Sequence, residues 1–79
     1  MNALENILKR ANELQDCNAP SLDFARLAYQ VGQASDLTGN QQILAYSAIM
    51  QNYAELEGLK QENRFRDRIV KMIENTANA

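Results

Sequence analysis

One proline and three glycines are the strong helix breakers in a chain of 79 residues, and their positions, Pro20, Gly32, Gly39 and Gly58, decide what the polypeptide can become. Between them apolar residues recur at spacings of three and four, the period of one helix face. Alternation with period two never persists. The fold expected from this punctuation is all-α: a single domain, a small bundle of three to four short helices built from helical hairpins.

The segments follow from the stripes. Leu4, Ile7, Leu8, Ala11 and Leu14 share one face, with Glu5, Lys9, Glu13 and Asp16 largely outside it, which predicts a helix over about 2–17. Pro20 disfavours helical geometry at the residue before it, so this helix ends near Cys17 or Asn18, and Ser21 is a candidate cap for the next. A second helix, about 21–37, carries Phe24, Leu27, Ala28, Val31 and Ala34, with Ala25, Tyr29 and Gly32 in a second line beside them. Its narrow polar face marks it as the most buried helix, and its small residues invite close approach of another. Thr38 and Gln41 have the spacing of a capping box, opening a third helix at about 40–57. Ile43, Tyr46, Ile49, Met50, Tyr53 and Leu56 form its stripe. Phe65, Ile69, Met72 and Ile73 run out of phase with that stripe, so a turn at Gly58 and a fourth helix over about 61–75 are expected. One long bent helix from 41 to 75 is the competing reading.

Composition bounds the function. A chain this short buries only about 60% of the surface its unfolded state exposes, so oligomerisation would help it. Eight Lys and Arg against ten Asp and Glu give a net charge of -2, which opposes global attraction to nucleic acid or anionic membranes. Cys17 is the single cysteine, so no intrachain disulfide can form. The opening residues lack the apolar core of a signal peptide, and no run approaches a membrane span. A soluble, cytoplasmic protein is the expectation.

The tripeptide Leu-Ala-Tyr occurs twice, at 27–29 and 44–46. Ala28 and Gly32 match two positions of a DNA-reading helix-turn-helix, but Gly39 follows Thr38 where the recognition helix should run on. No Lys or Arg stands between Leu27 and Leu59, so the phosphate contacts of such a unit are missing. No third copy supports a helical-repeat array. The pair is read as two helices packed on each other, each tyrosine ring in the core with its hydroxyl at the edge.

Chemistry is sparse. The chain has no histidine, which removes the commonest general base and metal ligand. Cys17 reads as a small buried group at a helix end rather than a nucleophile. The glycines stand too far apart to cradle a phosphate, and Glu55, Glu57 and Asp36 form no ligand motif. No catalytic, cofactor-binding or metal residue is assigned, no cofactor is expected, and the chain is read as non-catalytic.

Interaction is what remains. The helices carry more apolar surface than a monomer this small can enclose, and Tyr46, Met50, Tyr53 and Phe65 are the candidate protein-interface residues. The expected role is a small, non-catalytic cytosolic protein–protein interaction module, acting as adaptor or stoichiometric inhibitor or regulator, with a homodimer expected. Small acidic helical proteins of this kind are common among accessory proteins of phages and mobile elements. The rival is a nucleic-acid-associated regulator using a basic face of Arg64, Arg66, Arg68 and Lys71, supplemented by Lys9 and Arg10 if the first and last helices are adjacent. A small subunit of a larger assembly is a third reading.

Overall fold

Among the described residues four helices form where the stripes place them: α1 (Ala3–Asp16), α2 (Ser21–Gln33), α3 (Gly39–Ala54) and α4 (Asn63–Ala77). The computed structural model describes residues 3–56 and 63–78, and the side chains of all of these except Asn63, Arg64 and Phe65. No strand occurs among the described residues. The all-α bundle is therefore the fold. The turn expected at Gly58 lies outside the described residues.

α1 buries Ile7, Ala11 and Leu14 at intervals of four and three. Its end is a Schellman motif. Asn18 adopts a left-handed conformation with φ 53°, the Ala19 N–H donates to the Leu14 carbonyl at 2.9 Å, and the Asn18 N–H donates to the Gln15 carbonyl at 3.2 Å. Ala19 and Leu14, the two residues this motif brings together, are both buried. Cys17 departs from expectation: it is exposed, because the chain turns out of the helix one residue earlier, and its thiol donates back to the Leu14 carbonyl at 3.6 Å.

Pro20, not Ser21, stands at the start of α2; Ser21 is already helical and no side chain caps that end. Asp23 in the first turn complements the helix dipole instead. α2 stops at Gln33, four residues short of the expected 37. The chain must reverse before Thr38, whose extended backbone at φ -71° and ψ 166° opens α3. Leu37 is drawn down onto the core in doing so. At Thr38 both halves of the capping box close: the Gln41 N–H donates to the Thr38 hydroxyl at 3.2 Å, and the Thr38 N–H donates to the Gln41 side-chain carbonyl at 2.9 Å.

α3 is the centre of the molecule, touching α1, α2 and α4. Its buried residues, Ala45, Tyr46, Ile49 and Tyr53, are flanked by half-buried Ile43, Ala48 and Met50, so it is apolar around most of its circumference. It, rather than α2, is the most enclosed helix. α2 packs against it as a hairpin, with Phe24 and Tyr53 meeting edge to face at a centroid distance of 5.3 Å. α4 folds back along α3, so that Thr76 near its end lies beside Gly39 at the start of α3. The two are separate helices, not one long one. Ile69 of α4 is fully buried, with Met72 and Ile73 packed against the core. The Cα envelope measures 33 × 28 × 15 Å, thin enough that each outer helix keeps one face on the surface.

Candidate interaction surfaces

The two Leu-Ala-Tyr copies enter the bundle in different registers. In α2, Leu27 and Ala28 point inward and Tyr29 is 64% exposed; in α3, Ala45 and Tyr46 point inward and Leu44 is 52% exposed. One residue of helical rotation, about 100°, separates the two. Tyr46 satisfies the expectation of a buried ring; Tyr29 does not. Tyr46 reaches across to α2, its hydroxyl lying 3.1 Å from where a Cβ on Gly32 would sit. That close approach is what the absent side chain at Gly32 permits.

The interface candidates divide accordingly. Tyr46 and Tyr53 are each only 4% exposed and belong to the chain's own core, and Met50 is half-buried against it. They fill the bundle because α3 is surrounded on three sides, which a linear stripe does not reveal. Phe65 and Arg64 have backbone within α4, but their side chains lie outside the described residues. Of the basic face, Arg66, Arg68 and Lys71 are exposed. Lys9 and Arg10 do not join them: among the described residues α1 and α4 make no contact, and α3, which touches both, stands between. Arg10 instead lines a small cleft of about 160 Å³ with Asp23, Arg26, Leu27 and Gln30.

The residues missed by sequence reasoning are Leu22 and Tyr29. Leu22 is 56% exposed. Seven positions apart, the two differ by roughly 20° around α2 and stand opposite the buried stripe of Phe24, Leu27, Ala28 and Val31. Arg26, also exposed, lies between them. The signal was present in the excess of apolar residues on α2, which must place some of them on the side away from α3.

A second concavity, open and about 640 Å³, lies where the ends of α2, α3 and α4 converge, with Gly32, Gln42, Tyr46, Met72 and Thr76 on its walls. Most of its polar groups serve the fold. The Gln42 side-chain amide donates to the Val31 carbonyl at the end of α2, at 3.4 Å, and the Thr76 hydroxyl donates to the Met72 carbonyl at 2.9 Å. Burial pushes the Tyr46 hydroxyl above its ordinary pKa, so it stays a neutral phenol at physiological pH. The cleft thus presents no general base or charged nucleophile from its named walls. Among the described residues no group of three or more His, Cys, Asp or Glu is placed to hold a metal ion, and no helix is long and apolar enough to cross a membrane.

Compared with protein-family models, with curated proteins and with solved structures, the chain matches none.

Proposed function

We propose that this chain is a non-catalytic protein-interaction module of the cytosol, an adaptor or stoichiometric regulator whose working surface is the outer face of α2. The observation that carries the reading is that α2 is apolar on two opposite sides, and the bundle uses one of them. Leu22 and Tyr29 stand in solvent at 56% and 64% exposure, two turns apart on one side of the helix, the spacing at which a helix presents its anchors to a partner. Tyrosine is also among the residues enriched at binding hot spots.

The test compares baits. Wild type, the double variant L22A/Y29A and the control V70S, which alters an exposed apolar residue of α4, are each presented to extract from the native host. Proteins held by wild type and V70S are expected to be lost from L22A/Y29A. Equal recovery on all three baits, or nothing held by wild type, overturns the reading.

A further inference from the structure

The outer face of α2 is apolar at both ends and cationic in the middle. Leu22 and Tyr29 are the ends, and exposed Arg26 lies between them. Arg10 of α1 lines the same cleft as Arg26, together with Asp23. The Arg10–Glu13 pair, at 3.8 Å and with side chains 57% and 52% exposed, holds Arg10 only loosely. From this pattern we infer that α2 docks an acidic amphipathic helix of another protein, one carrying apolar residues two turns apart and an Asp or Glu between them. The inference rests on the reading of α2 as the working surface and adds the chemistry of the partner.

Spacing selects a helix. Leu22 and Tyr29 lie seven residues apart, about 10.5 Å along the axis. A second helix matches that distance with its own i and i+7 residues on one face. In a strand the same distance is about three residues, and residues three apart point to opposite faces. Charge selects the acidic partner over a second copy. A two-fold pairing that sets Leu22 of one copy against Tyr29 of the other centres near Arg26 and brings the two Arg26 guanidiniums together, and like charges across an interface cost affinity. Nucleic acid fits less well: the ends of the face, where a phosphate backbone would need cations, are the apolar Leu22 and Tyr29.

The experiment is a selection from a displayed library of helical peptides on the immobilised chain, followed by fluorescence polarisation with the peptides recovered. The substitutions are at exposed positions, and thermal melting by circular dichroism checks that each variant stays folded. Recovered peptides are expected to share apolar residues at i and i+7 with Asp or Glu between. Their affinity should fall at least about tenfold for L22A/Y29A and about tenfold for R26E. Changing the peptide acid to Lys should restore binding to R26E. Peptides that need Leu22 and Tyr29 but ignore Arg26 and carry no acid overturn the acidic-partner inference while the α2 surface stands. Peptides indifferent to L22A/Y29A, or no enrichment at all, sink both. Dimerisation abolished by L22A/Y29A in light scattering assigns the face to a second copy, and salt-sensitive duplex DNA binding lost in R26E assigns it to nucleic acid; either result overturns the inference.

Discussion

Tyr29 and Tyr46 occupy the same place in identical tripeptides, yet one is 64% exposed and the other 4%, so the tripeptide does not encode an environment. The difference predicts how each residue responds to change. Tyr29→Ala should alter unfolding free energy by no more than about 0.5 kcal/mol, as expected for a surface position. Phe24, fully enclosed against Tyr53, is the opposite case: Phe24→Ala should cost about 3–5 kcal/mol, a large share of the total stability of a small domain, measured by urea denaturation. Tyr46 adds a pH dependence. Its folded pKa is raised by burial, so above pH ~10 the unfolded phenol releases its proton while the folded one retains it, and stability falls as pH rises through that range. The expected result is a decline in urea midpoint above pH ~10 that is shallower in Tyr46→Phe. The inward faces of α1 and α4 were legible as simple stripes. The outward turn of Tyr29 was not, because two apolar lines on one helix do not say which of them faces the neighbour.

Helix ends were legible where a side chain makes them and obscure where tertiary geometry does. Thr38 and Gln41 announce the start of α3 by spacing, and both hydrogen bonds form. Thr38→Ala should therefore cost about 1 kcal/mol and Thr38→Ser much less, read by thermal or urea unfolding. The close of α1 depends on Asn18 holding a left-handed backbone. Asn18→Ala should cost about 1 kcal/mol, whereas Asn18→Gly should be neutral or stabilising. The premature end of α2 had no such marker. It follows from the reversal before Thr38 and from the Gln42 amide meeting the Val31 carbonyl, a contact across eleven positions that no local pattern contains.

At the scale of the molecule, the position of α3 decides most of the rest. Because α3 touches every other helix, it absorbs the aromatic and methionine side chains that its own sequence advertises as surplus, and it keeps the cations of α1 away from those of α4. A basic surface assembled from both ends of the chain does not form among the described residues. Titration of duplex DNA at two salt concentrations should accordingly show no salt-sensitive binding attributable to Arg68 and Lys71; a loss of such binding in R68A/K71A would restore the nucleic-acid reading. The two-sidedness of α2 has a consequence for mutation. Substitutions at Leu22, Arg26 and Tyr29 change the outer face with little penalty in folding, while those at Phe24, Leu27 and Val31 threaten the fold. Positions on the two sides of one short helix thereby separate surface chemistry from stability, so the outer side can be rewritten without rebuilding the scaffold.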